Sequence, residues 1–178
     1  MSGGPRAVFF DRDDTLMRNV PYLGDPAQVV VFPGAGEAVR ELEKRGFEIF
    51  LATNQSGVGR GLITVEQVAS VNRELFRQMD GFVFKEVYCA YGHGATDADR
   101  KPSPQMVYRA ARDHGLDLRR SYFVGDRLGD VLCGRNAGCR TVLVRTGENA
   151  REWDRAARLA DHDAPGLRAA VEWILSQE

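Results

Sequence analysis

Short apolar runs alternate along this chain with longer stretches in which apolar positions recur every three or four residues. Ala7–Phe10, Phe47–Ala52, Ser121–Val124 and Thr141–Val144 are nearly continuous apolar runs, as expected of strands buried on both faces. Phe84–Tyr91 alternates with Lys85 and Glu86 and predicts a strand nearer an edge. Between them the helical period places Val39 and Leu42 on the inner face of a helix from Gly34 to Gly46. A second helix starts after Thr64, where Thr64 and Gln67 have capping-box spacing, and it buries Val68, Leu75, Phe76 and Met79. A third, from about Pro104 to His114, uses Val107, Ala110 and Ala111 and ends at Gly115. Further helices are expected up to about Ala137, over Arg151–Leu159 and over Pro165–Leu175. Strand and helix in strict alternation predict an α/β fold of three layers, a doubly wound parallel sheet with helices on both faces. The long interruption, Met17–Pro33, is broken by Pro21, Gly24, Pro26 and Pro33, with Val29–Phe32 able to form a short strand or flap.

At 178 residues the chain is expected to form a single domain over 1–178 with a substantial core. A net charge of −1 excludes the basic excess of a nucleic-acid footprint, so any anionic substrate must be met by a local cluster of cations. Cys89, Cys133 and Cys139 fall at irregular spacing that suits neither a disulfide framework nor paired metal knuckles. A reducing, cytoplasmic setting follows. No membrane span and no secretory leader is expected, and nothing in the pattern calls for an obligate interface, so a monomer is expected.

Chemistry-bearing residues gather where the predicted strands end. The first run stops in Asp11-Arg12-Asp13-Asp14-Thr15, and Asp11 and Asp13, two apart, point the same way if the strand geometry persists. Two such acids on one side of a crevice repel unless a cation bridges them or one keeps its proton. A solvated acidic turn is the plain alternative. The second run ends in Thr53-Asn54-Gln55-Ser56-Gly57, the fourth in Gly125-Asp126-Arg127-Leu128-Gly129-Asp130, and Arg100-Lys101-Pro102 precedes a helix. A parallel sheet brings all of these to one rim, the edge at which open α/β sheets bind ligands.

This constellation resembles the haloacid dehalogenase-like (HAD) superfamily in its phosphatase branch, through Asp11-x-Asp13-x-Thr15, Thr53, Lys101 and Gly125-Asp126-x-x-x-Asp130 in the family's order. Asp-Arg-Asp, Thr-Asn-Gln-Ser-Gly-x-x-Arg-Gly from Thr53 to Gly61, and Arg-Lys-Pro are similar to the heptose-bisphosphate and histidinol phosphatase group. The resemblance implies a Rossmann-like HAD core, and because neither gap between motifs has room for an inserted cap, a capless site walled by Met17–Pro33, Gln55–Ile63 and Gly92–Arg100. It departs in two places. Asp14 stands where the group typically has glycine, and the group's zinc loop of Cys-x-His and Cys-x-Cys reads here as Cys89-Ala90-Tyr91 and Asp97-Ala98-Asp99. One cysteine and His93 fall short of the four ligands of a structural zinc, so no zinc is expected.

The resemblance further implies that Asp11 attacks phosphorus to form an aspartyl-phosphate and that Asp13 serves as general acid and then base. Lys101 holds Asp11 and the phosphoryl oxygens, and Thr53 stabilises them. Mg²⁺ is expected on Asp11, Asp126 and the Asp13 backbone carbonyl, with Asp130 either in the metal site or orienting Lys101. Thr15, Asn54, Gln55 and Ser56 are candidate phosphate contacts, and Arg60, Arg100 and Arg127 candidate readers of a second phosphate or a sugar hydroxyl. The expected substrate is a phosphorylated sugar of the heptose bisphosphate type. Histidinol phosphate and a nucleic-acid end are alternatives within the class. A receiver-like signalling module is the alternative outside it, opposed by an acid/base group beside the nucleophile.

Overall fold

The computed structural model describes residues 3–92, 97–147 and 150–177. Six strands form one sheet: β1 (Arg6–Phe10), β2 (Phe47–Asn54), β3 (Glu86–Ala90), β4 (Tyr122–Gly125), β5 (Arg140–Val144) and β6 (His162–Ala164). Their order is β3-β2-β1-β4-β5-β6 and every pairing is parallel. The helices are α1 (Ala35–Lys44), α2 (Val65–Gln78), α3 (Gln105–His114), α4 (Leu128–Ala137), α5 (Ala150–Leu159) and α6 (Leu167–Ser176). The sequence expectation of five strands falls one short. Its missing member, β6, is a three-residue His-Asp-Ala edge with no hydrophobic period to reveal it.

Side chains alternate across the sheet and sort the helices into two layers. Val8 and Phe10 of β1 share one cluster with Val39 and Leu42 of α1, Val71 and Leu75 of α2, and Val171 and Ile174 of α6. Ala7 and Phe9 face the opposite way, into a cluster with Met106 and Val107 of α3 and Cys133 of α4. Phe9 is fully buried and stacks between Phe50 and Phe123, with ring centroids 5.1 and 6.1 Å away. Aromatic burial of this kind fixes the central strands and so the positions of their ends.

The order of the strands reverses between β1 and β4. From β1 the chain winds outward to β2 and β3, then returns to the other side of β1 for β4, β5 and β6. Phe10 pairs with Leu51 on one flank and Val124 on the other, and Asp11 N–H continues the ladder to the Val124 carbonyl at 2.9 Å. Asp11 therefore emerges at the switch point of the sheet, where neighbouring loops diverge and leave a crevice. The 17–33 segment folds back beside this point: Arg18 N–H bonds the Val30 carbonyl and Phe32 N–H the Leu16 carbonyl, both at 2.9 Å, so the expected short strand is only a bridge between Met17 and Val31. Among the described residues no helix is long and apolar enough to cross a membrane.

Candidate active site

A cavity of about 440 Å³ opens at the carboxyl edge, over β1, β2 and β4. At its base the Lys101 ammonium lies 2.6 Å from Asp11 Oδ1, 2.7 Å from Asp130 Oδ1 and 2.9 Å from the Ala52 carbonyl. These groups are almost wholly buried, so their charges are poorly screened. Burial alone would pull the Lys101 pKa down; Asp11 and Asp130 more than reverse that, and the net direction is up. Lys101 is charged and fixed.

Its backbone is fixed too. Asn54, at the end of β2, accepts from Lys101 N–H at 3.0 Å and donates to the Lys101 carbonyl at 3.2 Å. Asn54, an expected phosphate contact, lines the cavity, and both ends of its amide clamp the lysine. Asp130 sits in the first turn of α4, where its second oxygen accepts from Arg127 N–H at 3.1 Å, closing the helix start. Gly125 is required here by space: a Cβ on it would lie 2.4 Å from the Asp130 side chain.

Asp126 completes the acid cluster. One carboxylate oxygen each from Asp11, Asp126 and Asp130 lies within 4.8 Å of the others. Asp126 is fully buried, and neither of its oxygens has a hydrogen-bond partner among the described residues. Arg127 Nε approaches only to 3.6 Å. Burial, then the charges of Asp130 and Asp11, push its pKa far above the usual carboxylate range. For Asp130, burial again leads, with Lys101 opposing it, and the result is about 6. A buried carboxylate with two unclaimed oxygens among other acids is costly alone and fits a hard divalent cation. Gly147 keeps that corner open, since a Cβ there would lie 2.3 Å from Asp126 Oδ2.

Asp13 also lines the cavity, with its side chain 17% exposed. Arg12 Nε donates to one of its oxygens at 3.2 Å and Arg12 Nη2 to the other at 3.1 Å, while Gln55 Nε2 adds a third bond at 2.8 Å. The same Gln55 nitrogen donates to Thr53 Oγ1 at 2.9 Å. Gln55, an expected phosphate contact, lines the cavity and gives its amide nitrogen to Asp13 and Thr53. Thr15 and Thr53 are wholly buried and outside the cavity lining, and Thr15 Oγ1 has no partner among the described residues. Ser56, Arg100 and Arg127 line the cavity, and Arg100 Nη1 is buried without a partner among the described residues. Arg60 does not join them: it is exposed in the turn after Ser56 and lies outside the lining residues.

Three features went unread in the sequence. Arg12, between two acids of a motif, is 1% exposed and rests on Asn72 of α2 at 3.0 Å. The signal was there, because Asn72 interrupts the inner face of a helix at the spacing of Val68, Val71 and Leu75. Glu152 of α5 forms part of the cavity wall, and the Trp153 indole N–H donates to the Asp126 carbonyl at 3.3 Å. The loop that departs from the zinc pattern holds itself, over its described part, by hydrogen bonds. Asp97 accepts from Asp99 N–H at 3.0 Å, and Asp99 pairs with Arg109 at 2.8 Å. His93 lies outside the described residues.

An anionic nucleophile meets an anionic phosphoryl group only where cations lie between them. Around Asp11 one cation is built in and the corner beside Asp126 suits another, which is the chemistry of a phosphohydrolase at the rim of a parallel sheet. The comparisons with known proteins agree. The HAD-hydrolase-like family model matches residues 98–170. The D-glycero-D-manno-heptose-1,7-bisphosphate 7-phosphatase of Thermosynechococcus vestitus is 38% identical over 185 residues, 94% of each chain. Its counterpart from Chlorobaculum tepidum is 36% identical, covering 97% of this chain and 96% of that one. The crystal structure of the D,D-heptose 1,7-bisphosphate phosphatase from B. bronchiseptica, complexed with magnesium and phosphate, superposes with a TM-score of 0.87 at 27% identity, over 97% of this chain and 99% of that chain. The chain belongs to the heptose-bisphosphate phosphatase family of HAD-like hydrolases.

Proposed function

We propose that this phosphatase removes the 7-phosphate of a D-glycero-D-manno-heptose 1,7-bisphosphate through an aspartyl-phosphate on Asp11. The observation that carries the reading is the Lys101 ammonium bonded at once to Asp11 and Asp130 beside the orphaned oxygens of Asp126. Asp11 Oδ attacks phosphorus as the bond to the sugar oxygen breaks, and Asp13 gives that oxygen its proton. Water then attacks the phosphorus, losing its proton to Asp13 and freeing Asp11 and inorganic phosphate. Lys101 offsets the charge that builds on the transferring group, and Asp130 and Asn54 hold the lysine in place. Asp11 and Asp126, with the Asp13 backbone carbonyl, would hold Mg²⁺, and Asp130 would support them through Lys101. When bound, the ion supplies the second positive charge that lets carboxylate and phosphate approach.

Arg100 gives the reading its bisphosphate character. A buried guanidinium nitrogen with no partner among the described residues, on the wall of the cavity, suits the second phosphate, and Arg127 stands close by. The three free cysteines suit a reducing compartment, and we place the reaction in the cytoplasm. Steady-state phosphate release with Mg²⁺ tests the proposal on heptose 1,7-bisphosphate, heptose 7-phosphate, histidinol phosphate and an aryl phosphate. The bisphosphate should have the highest kcat/KM. A higher value on histidinol phosphate overturns the substrate, and a single phosphorylation without turnover overturns the hydrolytic mechanism.

A further inference from the structure

A buried arginine needs an explanation, and Arg12 has one that the reaction itself does not supply. Its side chain is 1% exposed, and a guanidinium so deep is tolerated only where its donors are matched. Nε and Nη2 form a two-pronged contact with the two oxygens of Asp13, and Nη1 reaches across to Asn72 Oδ1 at 3.0 Å. Asn72 is itself buried on α2 and is not among the residues that line the cavity, whereas Arg12 is. The Arg12 carbonyl accepts from Leu16 N–H at 3.0 Å and from Met17 N–H at 3.3 Å, so the residue is anchored at its backbone as well. Gln55 closes the third side of Asp13 at 2.8 Å.

We propose that Arg12 is a positioning residue: anchored on Asn72, its planar fork sets the direction in which the Asp13 carboxylate faces the leaving group and the attacking water. This rests on the reading of Asp13 as the acid/base group. Arg12 lies in the bend just past β1, and from there its side chain reaches into the body of the protein to Asn72 and turns back on Asp13. A carboxylate held by one bond can swing, whereas one held through both oxygens cannot. Misplacement by about 1 Å is enough to cost on the order of a hundredfold in rate.

Lysine at this position keeps the charge and loses the fork. Arg12→Lys should lower kcat on an aryl phosphate by roughly ten- to a hundredfold while KM moves less than about threefold. Asn72→Ala removes the anchor without touching the cavity and should lower kcat severalfold, again at nearly constant KM. The decisive measurement is the cycle with Asp13→Asn, with each variant's thermal midpoint recorded. If Arg12 acts through Asp13, adding Arg12→Lys to Asp13→Asn should change kcat by less than about twofold. Effects that multiply in the double variant, or a kcat in Arg12→Lys within about twofold of wild type, overturn the proposal. Full kcat in Asp13→Asn would overturn the acid/base reading and this one with it, and so separates the two failures. Should Arg12→Lys not fold, the same cycle run with Asn72→Ala decides between the outcomes.

Discussion

The base of the cavity and its rim are built by opposite rules. At the base, Lys101 and Asp130 have side chains 4% exposed, and their charges are tied to one another and to the ends of β2 and α4. At the rim, Tyr22 is 46% exposed, the Arg127 side chain 47%, and Glu152 stands in solvent. Groups carried on strand ends cannot move without disturbing the sheet. Groups carried on loops and on α5 can be exchanged at little structural cost. The proposed reaction thus assigns chemistry to the base and the choice of substrate to the rim.

If that division holds, a one-atom change at the base should outweigh any truncation at the rim. Asp11→Asn replaces the attacking oxygen by an amide and should cut kcat by at least about a thousandfold, with KM little changed. Circular dichroism should show an intact fold. Lys101→Met comes next: loss of one preorganised cation should cost roughly a hundred- to a thousandfold in kcat. It also strands two buried carboxylates, so chemical denaturation of the metal-free protein should show a loss of about 3–5 kcal/mol. A tenfold loss or less from either change would mean that the base does not carry the reaction.

Metal removal sharpens the same contrast through stability. Asp130 titrates near 6 and Asp126 higher still, both above their unfolded range because burial opposes their charge. A carboxyl whose folded pKa is raised stabilises the fold when protonated, and that contribution is lost as pH rises through the folded value. The thermal midpoint of protein kept in chelator should therefore fall between about pH 5 and pH 8, the Lys101 contribution staying constant over that window. Millimolar Mg²⁺ should raise the midpoint most at the upper end, as mass action on a site formed only in the folded state requires. A flat profile in chelator, or no response to Mg²⁺, would remove the acid cluster from consideration as a cation site.

Arg100 tests the rim. Arg100→Ala removes a charge-assisted contact worth about 1.5–3 kcal/mol, so KM for the bisphosphate should rise roughly ten- to a hundredfold. For an aryl monophosphate it should hardly move. Equal effects on both substrates would place Arg100 at the base with Lys101.

The same division decides what could be read from the sequence. Strand ends announce themselves: an apolar run that stops in Asp11 or Asp126 is visible one residue at a time, and parallel topology brings those ends together. Connections through space are not visible in this way. Asn54 and Gln55 reach the cavity wall as residues at a strand end should, but the bonds of their amides to Lys101 and Asp13, 47 and 42 residues away along the chain, leave no trace in the sequence. Arg60, read by the same logic, is exposed and outside the cavity lining. Edge strand β6 and the Glu152 wall escaped because a three-residue strand and a charged helix face carry no periodic signal.

Asp14 stands between base and rim and should have the smallest effect. It is buried and holds a left-handed backbone at φ 58°, a conformation that costs an ordinary residue about 1–2 kcal/mol and glycine almost nothing. Against that, its carboxylate accepts from Asn19 N–H at 3.0 Å, a bond worth roughly 0.5–1.5 kcal/mol, and its carbonyl accepts from the Thr146 hydroxyl. The backbone bond survives in Asp14→Gly; the side-chain bond and the backbone strain are lost together and nearly cancel. Stability should change by less than about 1 kcal/mol. The Asp14 charge also bears on Asp126 and raises its pKa further, so removing it should ease the approach of phosphate. At saturating Mg²⁺, kcat/KM should rise by no more than about threefold, or roughly 0.7 kcal/mol. A tenfold loss would instead make Asp14 a working part of the base, a fourth carboxylate that the reaction cannot do without.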